Sequence, residues 1–149
     1  MVRKLAMLIL VLGVVGIVMG AVFAGMGVAK NNQLVQAMQV EQVRFTIHEG
    51  EEPSLINSSA EAQAAGDIIR EHRRGIAPTY QDLLGGGRYD PTNPDHLLYA
   101  QAMNMENYLY LAVIGFGLTQ SVMASGAFMI ITGIALGATG VVLMKMSKE

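Results

Sequence analysis

The chain has no cysteine and no tryptophan, only four prolines, and charge at just 15% of its 149 positions. Without cysteine there is no disulfide framework, no thiolate metal site and no cysteine nucleophile. With 6% aromatics and no tryptophan, a strong aromatic belt at a membrane surface is not available. The shortage of charge says most, because a soluble domain usually carries about 25%. The charges present are also segregated: none falls between Leu5 and Ala29, and none between Asn107 and Met144.

What is there instead is apolar, with 52% hydrophobic residues and a mean hydropathy of +0.38. The length leaves room for one compact unit. Leu5 to Ala29 is an unbroken apolar run; as a helix it would be roughly 37 Å long, enough for a hydrocarbon core of about 30 Å. The run from Asn107 to Met144 would be roughly 57 Å long as a helix, more than a bilayer needs. Its embedded part is expected at about Leu118 to Leu143, with Tyr108 and Tyr110 near the outer interface. The first run starts with Arg3 and Lys4 and has small-residue exits at Val22-Phe23-Ala24 and Gly27-Val28-Ala29, as a signal peptide would. It exceeds the 7–15 residues of a signal core, so we expect it to be retained as a span.

Basic residues set the orientation. Arg3 and Lys4 precede the first span, and Lys145 and Lys148 follow the second. Between them, residues 30–106 hold six Lys and Arg against eleven Asp and Glu, a net of −5. Both termini are therefore expected in the cytoplasm, the acidic middle outside, and the protein in the cell membrane as a multi-pass protein.

The intervening segment has its own order. Asn31 to Gln42 contains no helix breaker and puts Leu34, Val35 and Met38 on one side, so helix 1 should continue past the span. Val43, Phe45 and Ile47 alternate with Arg44 and Thr46, a short strand pattern expected to pack on the helices or pair with a neighbouring copy. Ser58-Ser59-Ala60-Glu61 reads as a capping box opening a cap helix over 59–74, with Gly75 as its C′ stop and Pro78 beyond. Arg70, Arg73 and Arg74 sit at the end where cations suit the helix dipole. Tyr80 to Leu84 can form one more turn, and Gly85-Gly86-Gly87 is a break. Thr92 or Asn93 then caps a helix starting at Pro94 and running into the second span.

The expected fold is an all-α membrane protein, a two-span antiparallel helical hairpin with long helices extending outside the bilayer and a small, mostly helical external cap. Its parts are residues 1–29 (N-terminal tip and first span), 30–106 (external segment) and 107–149 (second span and cytoplasmic tail).

Small residues carry the strongest signal in the spans. Gly16 and Gly20 are spaced small-xxx-small, as are Gly133 and Gly137, and Gly126, Gly133 and Gly140 recur every seven residues. Lipid gives helices no hydrophobic drive to associate, so close backbone approach at small residues does so. Contact between the chain's own spans and contact with another subunit both fit, and the second is the expectation. The polar residues of the second span are mild: Thr119, Gln120, Ser121, Ser125, Thr132 and Thr139. Of these Thr119, Gln120, Ser125 and Thr132 are candidates for interhelical hydrogen bonds or, in an oligomer, for lining a passive pore. Neither span contains an ionisable side chain, which argues against proton relays and ion-coupled transport.

Outside the spans, His48, Glu49, Glu51 and Glu52 form an acidic cluster, but their spacing fits no EF-hand or zinc motif. The eleven methionines, including Met103-x-Met105 and Met144-x-Met146, read as packing residues. The three glycines at 85–87 lack the Lys and Ser/Thr of a phosphate loop. No catalytic constellation, metal or cofactor is expected, and no nucleic acid. The expected partners are the lipid bilayer and other membrane subunits or further copies of the chain.

The order AQAAGDIIREH (62–72), PTYQDLL (78–84), DPTNP (90–94) and AQAMNMENYLYLAVIGFG (100–117) resembles a family of small two-span membrane proteins of actinobacteria and Chloroflexi-type bacteria. The resemblance covers most of the chain and implies the same topology. That family has no assigned function. The aromatic-ring-opening dioxygenase label that some members carry needs ligands that this sequence does not supply. The expectation is thus a non-enzymatic membrane subunit, an accessory or structural component of a larger complex or a homo-oligomer.

Overall fold

The computed structural model describes residues 2–42, 44–46 and 52–147. It is mostly helical: α1 (Val2–Val40), α2 (Ser59–Ile76), α3 (Tyr80–Leu84) and α4 (Pro94–Met146), with two short strands, β1 (Arg44–Phe45) and β2 (Ser54–Leu55). α1 and α4 are both long and apolar enough to cross a membrane. Where the chain length suggested one compact unit, the contacts divide it into two: residues 1–32 with 118–149, and residues 33–117. α1 and α4 contribute to both.

The unit of residues 33–117 has a conventional core. Ile56, Ala62, Ala65, Leu109, Ala112 and Phe116 are buried together, flanked by Leu34, Val35, Met38, Phe45, Ile69 and Val113. Thus α1's last turns, α2 and the first half of α4 share one apolar centre. Small residues let α2 come close: a Cβ on Gly66 would lie 3.0 Å from the Tyr110 ring.

Of the two alternatives expected for the strand, packing on the helices holds, since Phe45 lies against their core, and pairing with a neighbouring copy does not. Arg44 and Phe45 pair antiparallel with Leu55 and Ser54 of the same chain, so no neighbouring copy is needed to satisfy β1, and β2 had no alternating pattern to announce it. Val43 and Ile47 lie outside the described residues, as do His48, Glu49, Glu51 and Lys148.

The cap helix begins as expected but ends differently. The Ser58 Oγ accepts from the Glu61 N–H at 3.2 Å, while the Glu61 carboxylate accepts from the Asn57 N–H at 2.8 Å, one residue earlier than a standard capping box. Gly75 is not the stop. The helix runs through Ile76 and ends at Ala77, with φ −152° and ψ 140°. Ala77 precedes Pro78, whose ring disfavours helical backbone in the residue before it; this outweighs the preference for glycine at C′. Left-handed glycines occur instead at Gly85 and Gly86, where Gly85 caps α3. At the start of α4, the Asn93 Oδ1 accepts from the Asp95 N–H at 2.9 Å, so Asn93 is the cap and Pro94 the first helical residue.

Candidate functional site

In the unit formed by residues 1–32 and 118–149, what matters is where the small residues lie. On α1 the buried residues are Ala6, Gly13, Gly20 and Gly27, one every seven. On α4 the buried positions are Thr119, Gly126, Gly133 and Gly140, again one every seven. A strict seven-residue repeat keeps one stripe of a helix turned toward a partner.

The two stripes meet. A Cβ on Gly20 would lie 2.6 Å from the Gly126 carbonyl oxygen, and one on Gly133 would lie 2.6 Å from that of Gly13. A Cβ on Gly140 would come within 2.9 Å of the Leu10 backbone, and one on Gly27 within 3.1 Å of the Thr119 carbonyl. At Gly20, Gly133 and Gly140 such distances leave no room for a side chain unless the backbone shifts. Backbone meets backbone along this seam.

The candidate glycines fall into two groups. Gly20, Gly126, Gly133 and Gly140 are in the seam, and Gly16 is at its edge, where an added Cβ would lie 3.3 Å from the Gly133 Cα. Gly137 differs: its backbone borders Gly13, but a Cβ on Gly137 itself would meet nothing within 4 Å. The helix that faces these glycines belongs to the same chain. Gly13 and Gly27 escaped the sequence reading because it sought four-residue spacing on α1. The seven-residue repeat from Ala6 would have found both.

The polar candidates do not share one face. Thr119 is buried, and its Oγ1 donates to the Asn31 Oδ1 at 3.2 Å. Gln120, Ser125 and Thr132 are exposed. Ser125 and Thr132 stand two turns apart on the side roughly opposite Thr119, with Gln120 between. The Ser125 Oγ donates to the Ser121 carbonyl at 2.8 Å, and the Thr139 Oγ1 donates likewise to that of Ala135.

A second constellation, in the unit of residues 33–117, joins α2 to α4. The Arg73 Nε donates to the Glu106 carboxylate at 2.7 Å, and a second guanidinium nitrogen donates to the Tyr99 hydroxyl. The guanidinium also lies 4.9 Å from the centre of the Tyr99 ring. Glu106 is only 8% exposed and Tyr99 is buried. The Glu106 hydrogen bond, the largest influence, holds Arg73 firmly charged against the cost of burial. Nearly two turns earlier on α2, Asp67 accepts from the Tyr110 hydroxyl at 2.7 Å, from Gln63 and from Arg70 at 2.7 Å. The Tyr110 hydrogen bond is the main cause that holds the Asp67 carboxyl below the usual range. The sequence placed Arg73 at a helix end for its charge. The structure gives it a specific partner 33 residues away, a pairing that no local spacing encodes.

Among the described residues no three His, Asp or Glu side chains are grouped to hold a metal ion. No protein-family model, curated protein or solved structure matches this chain.

Proposed function

We propose that the chain is a non-enzymatic integral membrane subunit. Its two spans pair as an antiparallel hairpin, both termini are cytoplasmic, and residues 30–106 form an external cap. One observation carries this reading: the unit of residues 1–32 and 118–149 is inside out for water. Its seam is glycine, while Leu5, Leu8, Leu12 and Val18 on α1 and Phe128, Ile131 and Ile134 on α4 are all more than half exposed. A water-soluble protein buries its large apolar residues first. Here only 17% and 11% of the most apolar stretches of α1 and α4 are buried, less than a soluble core helix would bury, which supports this reading. Lipid tails would cover the exposed residues, and small residues would let the helices approach without hydrophobic help. The opposed order of the contacts, Gly27 near Thr119 and Leu10 near Gly140, supports the antiparallel pairing.

Because the glycines face each other within one chain, docking to other membrane subunits or to further copies would use the remaining outer surface. The pore reading gains nothing here. Its four candidate side chains are spread around α4, and the Ser125 hydroxyl donates to its own helix.

Single cysteines test the topology. In intact cells, cysteines at Ser59 and Gly86 should react with a membrane-impermeant thiol reagent, and one at Ser147 should react only after lysis. Labelling of Ser147 alone would reverse the orientation. Full extraction of the chain by alkaline carbonate would remove the membrane reading altogether.

A further inference from the structure

His96 lies in the first turn of α4 and joins both sides of the triglycine loop. Its Nδ1 is 3.0 Å from the Asp90 N–H and its Nε2 is 3.2 Å from the Leu83 carbonyl oxygen. These partners fix the proton. A backbone N–H can only donate, so Nδ1 must accept; a carbonyl can only accept, so Nε2 must carry the hydrogen. Only the neutral ring with its proton on Nε2 satisfies both.

We propose that His96 is a proton-sensitive latch that holds the 83–90 loop closed when neutral and releases it when charged. Protonation puts a hydrogen on Nδ1, so two donors face each other where a hydrogen bond was. Imidazole is the side chain that ordinarily changes charge between about pH 5 and pH 8.

The loop has what such a release needs. Gly85 and Gly86 have φ of +55° and +82°, and Cβ atoms there would meet nothing within 4 Å; the turn itself is closed by the Gly87 N–H on the Leu84 carbonyl at 2.8 Å, so the segment free to move is the one beyond it, toward Asp90. Tyr89 stacks on the ring at 5.8 Å and would be freed with it. The charged ring also has an alternative partner. The Asp90 carboxylate, held below its usual range chiefly by Thr92, interacts with it electrostatically. The other ionisable groups on the loop, on α3 and in the first two turns of α4 are Arg88 and Tyr89, Tyr80 and Asp82, and Asp95 and Tyr99. Asp82 accepts from the Thr79 hydroxyl.

Amide hydrogen exchange in the full-length protein in detergent tests the latch from pH 8 to pH 5, corrected for intrinsic exchange, with imidazole protonation followed by NMR. Protection of the Asp90 amide should fall roughly two- to tenfold, the net worth of an exposed hydrogen bond, in step with ring protonation. Amides of α2 should keep theirs. His96→Asn places a non-titrating acceptor near the Nδ1 position and should make Asp90 protection independent of pH. His96→Phe should remove it throughout. Constant Asp90 protection while the ring protonates would overturn the proposal, as would an unchanged pH dependence in His96→Asn. Should neither variant fold, the wild-type comparison of ring and amide decides alone.

Discussion

Replacing Gly133 with alanine adds one methyl group at a tight part of the seam. Its Cβ would lie 2.6 Å from the Gly13 carbonyl oxygen and 2.7 Å from the Ile17 nitrogen. Ordinary contact begins near 3.4 Å, so the helices must part locally by roughly 0.8 Å. A gap of about 0.5–1 Å forfeits a quarter to a half of each dispersion contact it opens, and overpacking a tight interior costs about 1–3 kcal/mol. We expect Gly133→Ala to lose about that much. Gly137→Ala is the control, one turn along the same helix with open space at its Cβ, and should cost nothing. Unfolding of both variants in mixed micelles, by denaturing detergent or heat, measures the difference. Equal stability of Gly133→Ala and wild type would refute the seam. Equal damage at both positions would mean that the Gly133/Gly137 pair serves a second chain. Assembly size separates these cases, because the larger Gly133→Leu should destabilise the chain without changing how many copies travel together.

The clamp between α2 and α4 gives further tests. Arg73→Met leaves the Glu106 carboxylate buried without its cation and should cost about 3–5 kcal/mol; Arg73→Met with Glu106→Leu should recover most of this in a double-mutant cycle of thermal stability. Asp67 has its carboxyl lowered by Tyr110, Gln63 and Arg70. Its contribution is therefore complete above the ordinary carboxylate value of about 3.9 and lost as pH falls through the lower folded value. Asp67→Asn should flatten the acid limb of a melting profile and leave the neutral region's slope unchanged. Ser58→Ala should cost about 1 kcal/mol in protease resistance of the external segment, and Ser59→Ala should cost little, since the Ser58 hydroxyl makes the cap.

Much of the fold was legible because its rules are local. Capping by Ser58, the turn at Tyr80–Leu84, the Asn93-Pro94 start and the apolar side of Leu34, Val35 and Met38 all depend on residues within a few positions of one another. Gly75 misled for a related reason. A glycine near a helix end invites a stop, yet the proline three residues later governed the backbone at Ala77. The β1–β2 pairing and the Arg73–Glu106 bond escaped because each joins distant segments. The seam was half legible. The heptad on α4 was visible, but which glycines face a neighbour depends on the register of two helices, and that separates Gly133 from Gly137.

A seam made of main chain has consequences for how such a sequence can drift. Under the proposed membrane reading, leucine, valine and isoleucine on the outer surface are nearly interchangeable, because a fluid neighbour asks only for oiliness. At Gly13, Gly20, Gly126 and Gly133 the opposing wall is peptide backbone, which no change of side chain can move aside, so one enlarged position cannot be compensated across the gap. Substitutions should therefore accumulate outside while the spacing of seven persists within. A distant cousin of this chain would be recognised by the rhythm of its glycines long after its letters had ceased to match.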